Sequence, residues 1–341
     1  MNAKPMDPKA KPVPEHAHPD PVATGASTPH PHAFAVSQLR PLLDQWERLT
    51  TKAPTLLRQG AYDNDWLCQV QAFAGTVRQV MQQDADVALF VALQSNALSV
   101  DHYSENHAVT CLVLGELAAL WMEWTEHERD TLAWAALTMN VSMTTLQDTL
   151  AEQSHALSAN QRQRIDTHAE QSVQLLRNAG VQDALWLEVV GQHHTAQKPL
   201  ASSEADPVPR LAELLRRVDV YTAKLSRRAN RDSVTPAKAA RDACLGPDGH
   251  PDHIGATLLR VAGLYPPGTY VELANGETAV VIRRGEKAHT PSVASVRAAN
   301  WALISPPQFR DTSRPIFAVR RGVDPSQVRV NFDSLHLLCC A

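Results

Sequence analysis

Five side chains in this sequence are of the types that hold divalent transition metals. Imidazole and carboxylate groups suit iron, manganese and zinc, and the candidates are His107, His168, His193, His194 and Asp219. A metal site in a helical protein takes one or two ligands from each of several helices, because no single helix face can surround the ions. Ligands spread along the chain in this way predict a metal centre in the core of a helical bundle.

Taken singly, each candidate has an ordinary structural explanation. His107 opens an apolar helix and could cap or pack there, His168 lies in a polar run, and a His-His pair can arise by chance among 15 histidines. Asp219 fits such an explanation least well, because Val218 and Val220 flank it on a helix that should be largely buried, where an unpaired carboxylate is costly. The case for a site therefore depends on the joint spacing of the candidates.

The elements that would position these residues are helices, because apolar residues recur every three or four positions through most of the chain. Residues 37–95 are expected to form three helices, with breaks near Pro54 and at 61–64. This region could be a small sensor or simply helices that pack ahead of the next region, and its sequence carries no ligand-binding signature. Residues 100–245 are expected to form a bundle of five or more helices, with a loop at 199–209.

The residue pattern changes after Gly246, from helical spacing to β-branched runs. A short helix is expected at 254–262, and the dipeptide Asn275-Gly276 between two β-branched runs predicts a hairpin of strands 269–273 and 278–283. Two further strands are expected at 316–319 and 328–331. The fold class is therefore mainly α, a helical bundle with an N-terminal helical region and a small C-terminal β-containing extension.

Four regions follow from these patterns. Residues 1–34 are rich in proline and histidine and nearly devoid of large apolar side chains, so a disordered tail is expected. An N-terminal helical region is expected at 35–98, a helical domain with the candidate ligands at 99–245, and a mixed α and β extension at 246–341.

Composition excludes several classes of function. A net charge of −4 argues against a protein that coats nucleic acid. The sequence has neither a signal-peptide apolar run nor a membrane-length one, so a cytoplasmic, soluble protein is expected. The cysteines are odd in number and lack a C-x-x-C spacing, which favours incidental or buried thiols over disulfides or a zinc site. They are Cys68, Cys111, Cys244, Cys339 and Cys340.

The joint spacing of the candidates resembles that of a known family. The motifs, in chain order, are Asn106-His107-Ala108-Val109, the segment from Ala135 to Met143, His168-Ala169, His193-His194-Thr195 and Asp219-Val220-Tyr221-Thr222-Ala223. With Tyr265-Pro266-Pro267-Gly268-Thr269 behind them, they resemble an HD-GYP domain over about 103 to 281. This family of bacterial enzymes belongs to the HD superfamily of metal-dependent phosphohydrolases and hydrolyses the second messenger cyclic di-GMP. The resemblance implies an HD-type bundle and a pair of ions that clamp a phosphate and activate water.

Specific departures from the family pattern change what the resemblance implies. Met139-Asn140 stands where the family has its His-Asp dyad, so a neutral amide replaces the carboxylate that bridges both ions. Two dications about 4 Å apart repel by on the order of 15 to 20 kcal/mol at an effective dielectric constant of 20, so losing the anionic bridge should abolish the binuclear site. Thr195 replaces a glutamate, and the Gly-Tyr-Pro loop is missing from 196–209. Region 99–245 is therefore expected to be a degenerate HD-GYP domain.

The resemblance also sorts the remaining ligands. It assigns His168, His193 and His194 to one ion, and leaves His107 and Asp219 for the other, which is too few ligands for tight binding. The expected cofactor is therefore one divalent ion of iron, manganese or zinc, or none. Adjacent helical residues point about 100° apart, so His193 and His194 can share an ion only if the helix ends there.

Two arginines beyond Asp219 match family positions. Arg228 and Arg231 would contact a phosphate through paired N–H groups. Alternatively, they form a solvated basic helix end, where cations interact favourably with the carbonyl dipoles.

These features favour a catalytically impaired regulatory or scaffolding protein in cyclic di-GMP signalling. It would bind cyclic di-GMP or an unidentified signalling partner, and a homodimer is compatible with such a role. The alternative is a metal-dependent phosphodiesterase that acts on cyclic di-GMP or a related phosphoester with an altered, mononuclear site, in which Asn140 and the three histidines support a single ion.

Overall fold

Helices dominate the computed structural model, which describes residues 36–58, 64–98, 100–195, 206–229, 234–246, 249–328, 330 and 332–340. The helices are α1 (Val36–Leu57), α2 (Asn64–Gln83), α3 (Ala85–Leu98), α4 (Tyr103–Trp121), α5 (Glu126–Thr138), α6 (Thr144–Glu152), α7 (Ala159–Asn178), α8 (Ala184–Gln192), α9 (Val208–Leu225), α10 (Pro236–Cys244), α11 (His253–Ala262), α12 (Pro325–Val328) and α13 (Ser334–Leu338). The strands are β1 (Tyr270–Leu273), β2 (Thr278–Arg283), β3 (Ser292–Arg297), β4 (Leu303–Asp311) and β5 (Val319–Val323). The expected mainly α fold with a small C-terminal sheet is confirmed.

Helix α4 lies at the centre of the bundle and carries His107. It packs against α3, α5, α9 and α11, and most of its residues are buried. One continuous apolar core extends from Leu39 to Leu338, so the helices before residue 98 share it with the ligand-bearing helices. The region boundaries expected from the sequence stay predictions, and the tail at 1–34 lies outside the described residues.

The predicted break near Pro54 is wrong. Helix α1 continues through this proline to Leu57. Proline removes one backbone hydrogen bond, but Ala53, Leu56 and Leu57 on the same turn are each only 2% exposed. Their burial in the core outweighs the lost bond. The other expected break, at 61–64, falls mostly outside the described residues, and α2 begins at Asn64.

The C-terminal sheet is antiparallel throughout, with strand order β4-β3-β2-β1-β5. The predicted hairpin is confirmed: β1 and β2 flank Asn275-Gly276, and Gly276 has the positive φ of 84° that such a turn needs. The predicted helix at 254–262 is confirmed by α11.

One strand prediction in this extension is wrong, and a second falls partly outside the described residues. At 316–319 the structure has a single 3₁₀ turn, Pro315–Phe317, and β5 begins only at Val319. Pro315 explains the difference, because its fixed φ and missing N–H favour a turn. Within 328–331, residues 329 and 331 lie outside the described residues, Val328 ends α12, and Val330 belongs to no strand.

Gly268 connects the sheet to α3 and provides a first test of the packing. Its φ is +91°, and a Cβ atom there would lie 2.8 Å from the carbonyl oxygen of Phe90. Its own carbonyl accepts a hydrogen bond from Gln94 Nε2 at 2.6 Å. Gly268→Ala is expected to lower the free energy of unfolding by about 1 to 3 kcal/mol, measured by urea denaturation. Gly75→Ala is the matched control, because a Cβ there meets nothing within 4 Å and helix propensity predicts a gain of about 0.5 to 1 kcal/mol. Equal effects of the two changes would refute this account of Gly268.

None of the helices in the described ranges is long and apolar enough to cross a membrane.

Candidate metal centre

Three histidines meet where α7 and α8 approach each other. His168 lies in α7, and His193 and His194 directly follow α8, which ends at Gln192. One ring nitrogen of each histidine lies within 4.8 Å of the others. The predicted condition for shared ligation is met, because the helix ends before the His-His pair.

Hydrogen bonds to the backbone fix the orientation of two of these rings. His168 Nδ1 donates to the carbonyl oxygen of Ile165 at 2.5 Å, and His193 Nδ1 donates to that of Val190 at 2.6 Å. With both Nδ1 atoms protonated, the two Nε2 atoms carry lone pairs, and they face each other at 3.2 Å. Two acceptors in such contact repel unless a cation lies between them. Two nitrogens bound to one tetrahedral zinc ion would be about 3.3 Å apart, so the geometry fits a metal ion.

The pKa shifts agree with a site that needs neutral imidazoles. Burial, followed by the neighbouring His194, lowers the pKa of His193 to about 3. The same two causes lower the pKa of His168. Metal ligation requires the deprotonated ring, so both buried histidines are ready to bind an ion at neutral pH. His194 is exposed, so the group of His168, His193 and His194 is open to solvent on the side of His194.

A second group lies between α4 and α9. His107 Nε2 donates to Asp219 Oδ1 at 2.8 Å and lies 3.5 Å from Cys111 Sγ. The ligand atoms of these three residues are all within 4.8 Å of one another. His107 and Asp219 were expected as ligands, whereas Cys111 was not. The signal that could have identified Cys111 is its position four residues after His107, which places both side chains on one helix face.

The pKa values of His107 and Asp219 shift in opposite directions, as expected for an ion pair. Burial alone would raise the pKa of Asp219, but the hydrogen bond and charge of His107 hold it well below its usual range, with smaller contributions from His193 and His194. Burial alone would lower the pKa of His107, but the contacts with Cys111 and Asp219 raise it well above its ordinary value.

The residues at the expected dyad position are both buried and neutral. Met139 is fully buried and Asn140 is 8% exposed, at the end of α5. Asn140 Oδ1 makes no hydrogen bond to any residue that the structure describes. Both side chains are neutral, so neither supplies a charge that could join two ions.

Arg228 contacts the second group through Tyr103. Its Nη2 donates to Tyr103 Oη at 2.5 Å, and its guanidinium carbon lies 5.0 Å from the ring centroid. Tyr103 in turn stacks on His107, with ring centroids 5.8 Å apart. Arg228 is therefore half-buried against an aromatic ring, unlike the solvated helix end considered from the sequence. Its contact with a phosphate stays a prediction, and Arg231 lies outside the described residues.

Comparisons of the chain with protein-family models, with curated proteins and with solved structures found no match. The HD-GYP resemblance therefore stays a prediction, and the chemistry of the site is argued from its own geometry.

The low pKa of His193 predicts a pH dependence of stability in the metal-free protein. Its pKa rises from about 3 in the folded chain to the ordinary 6.5 on unfolding. Between these values the unfolded chain binds a proton that the folded chain does not, so the free energy of unfolding falls as pH falls. One proton contributes about 1.4 kcal/mol per pH unit. In a chelating buffer, His193→Gln should lower the slope of the unfolding free energy against pH. Between roughly pH 6 and 4 the slope should fall by up to the contribution of one proton. Replacing the exposed His336 with glutamine should leave the slope as in the wild type, and equal slopes in all three proteins would contradict the assignment.

Proposed function

We propose that this chain is a catalytically impaired protein of the HD-GYP type, with an HD-type helical bundle, and that it acts as a regulatory or scaffolding partner in cyclic di-GMP signalling. The observation that carries the proposal is the contrast between the three-histidine group and the neutral side chains at 139–140. The group keeps its ligand atoms within 4.8 Å of one another. The buried residues Met139 and Asn140 offer no carboxylate that could bridge a second ion.

A divalent ion at His168, His193 and His194 would act as a Lewis acid and lower the pKa of a bound water. The chain's own contribution is to hold two of the rings by backbone hydrogen bonds and to keep them neutral. Phosphodiester hydrolysis by ion pairs depends on clamping both the attacking and the leaving oxygen. A single ion at this group does not provide that clamp, which favours retention of binding and loss of turnover.

Purified protein loaded with zinc, iron or manganese is expected to hydrolyse cyclic di-GMP no faster than its His193→Ala variant. The assay should follow the linear dinucleotide product by chromatography, with binding of cyclic di-GMP measured in parallel by calorimetry. Binding without turnover is the predicted result. Turnover by the wild-type chain that His193→Ala abolishes would contradict the proposal.

That contrary result would establish the second candidate, a phosphodiesterase with a mononuclear site. The exposure of His194 favours this candidate, because an ion held there would be open to a substrate phosphate. Three protein ligands and one open position are typical of catalytic zinc sites. The two candidates make the same prediction for metal content and opposite predictions for turnover.

A further inference from the structure

The group of His107, Cys111 and Asp219 contains one more ligand than the family resemblance supplies. We infer that these three residues hold a zinc ion of their own, with Cys111 as a thiolate ligand. This second site does not depend on the cyclic di-GMP assignment or on occupancy of the three-histidine group.

The distances fit a tetrahedral zinc ion with nitrogen and sulfur ligands. Zinc binds nitrogen at about 2.0 to 2.1 Å and sulfur at about 2.3 Å, so a ligating nitrogen and sulfur lie about 3.6 Å apart. Cys111 Sγ and His107 Nε2 are 3.5 Å apart. His107 Nε2 and Asp219 Oδ1 are 2.8 Å apart, and this contact must open by about 0.5 Å to admit the ion.

The position of the thiol also points to a ligand. Cys111 is fully buried, and its contact with His107 Nε2 is its only hydrogen-bonding contact to a described residue. That nitrogen already donates its proton to Asp219, so it has no lone pair for the thiol. An ion at the centre of the group gives all three side chains a partner at once.

Sulfur changes the choice of metal. Imidazole and carboxylate alone suit iron and manganese as well as zinc, whereas a thiolate favours zinc. On binding, the S–H bond of Cys111 and the Nε2–H bond of His107 break, the sulfur–zinc and nitrogen–zinc bonds form, and both protons pass to the solvent; no electron is transferred. Because His107 and Cys111 belong to α4 and Asp219 belongs to α9, the ion would cross-link two adjacent core helices.

Cobalt substitution of the full-length chain tests this inference, because a cobalt(II)–thiolate bond gives a charge-transfer absorption band in the near ultraviolet. The wild-type chain and His193→Ala are both expected to show the band, and Cys111→Ser is expected to lose it. Cys244→Ser is the matched control, since Cys244 is a second buried free cysteine outside the group, and it should keep the band.

A band that persists at full intensity in Cys111→Ser, or its absence from the wild-type chain, would overturn the inference. X-ray absorption on the zinc-loaded His193→Ala variant does not depend on the folding of Cys111→Ser. It should show one sulfur ligand per zinc, and a zinc shell without sulfur would also overturn the inference. Neither result tests the three-histidine group. That group is tested by the loss of zinc when His193 is replaced.

Discussion

Replacing His193 with alanine is expected to remove one equivalent of divalent metal from the purified chain. The substitution deletes one of two Nε2 atoms that face each other at 3.2 Å and leaves two imidazoles to hold the ion. Loss of second-shell partners alone typically costs 10- to 100-fold in metal affinity, so losing a direct ligand should cost more than about 100-fold. Elemental analysis after anaerobic purification and gel filtration measures the difference.

The comparison should use full-length proteins that differ at one residue. The histidines of the N-terminal segment then contribute equally to every sample. His336→Ala is the matched control, because His336 is 70% exposed and outside both groups, and it should hold as much metal as the wild type. Equal metal content in all three proteins would mean that the three-histidine group does not bind an ion under these conditions.

Removing the buried carboxylate of Glu116 is expected to cause the largest loss of stability. Glu116 on α4 is 1% exposed, and its Oε1 lies 2.9 Å from Arg78 Nε on α2 and 3.1 Å from Arg129 Nε on α5. Glu116→Ala leaves two guanidinium groups near the core without this partner. Breaking a buried ion pair on one side costs about 3 to 5 kcal/mol. A value of about 3 kcal/mol is expected here, since Arg78 keeps its contact with Asp130.

Urea denaturation of Glu116→Ala should therefore show a lower midpoint with an unchanged slope. Glu272→Ala provides the contrast, because Glu272 pairs with Arg320 and Arg321, which are both at least 60% exposed. Exposed pairs contribute about 0 to 1 kcal/mol. If the two substitutions destabilise the chain equally, Glu116 does not hold α2 and α5 against α4.

The helical part of the fold could be predicted because apolar spacing reports directly on helix faces. The Asn275-Gly276 turn could also be predicted, since its backbone requires residues that tolerate positive φ. The continuation of α1 through Pro54 could not be predicted from the sequence. It depends on burial of Ala53, Leu56 and Leu57 in a core formed by distant segments. Strands β3 and β4 were missed for different reasons. Strand β3 contains small residues beside its two valines, which weakens the strand signal, and β4 contains Pro306 and Pro307, which are unusual in strands.

The candidate site shows the same division. The family resemblance implied which histidines belong together and that His107 belongs with Asp219, and the structure brings each set together. It did not reveal Cys111 or the stacking of Arg228 on Tyr103. The cysteine looked like any apolar core residue, and the stack joins two segments that meet only through tertiary packing.

A crystal structure of the zinc-loaded protein, with anomalous data collected at the zinc absorption edge, tests directly whether the three-histidine group binds an ion. We expect an anomalous peak within bonding distance of the Nε2 atoms of His168 and His193, with His194 as the third ligand. A map without a peak there, from crystals whose metal content is confirmed, would contradict the claim that the three-histidine group binds an ion.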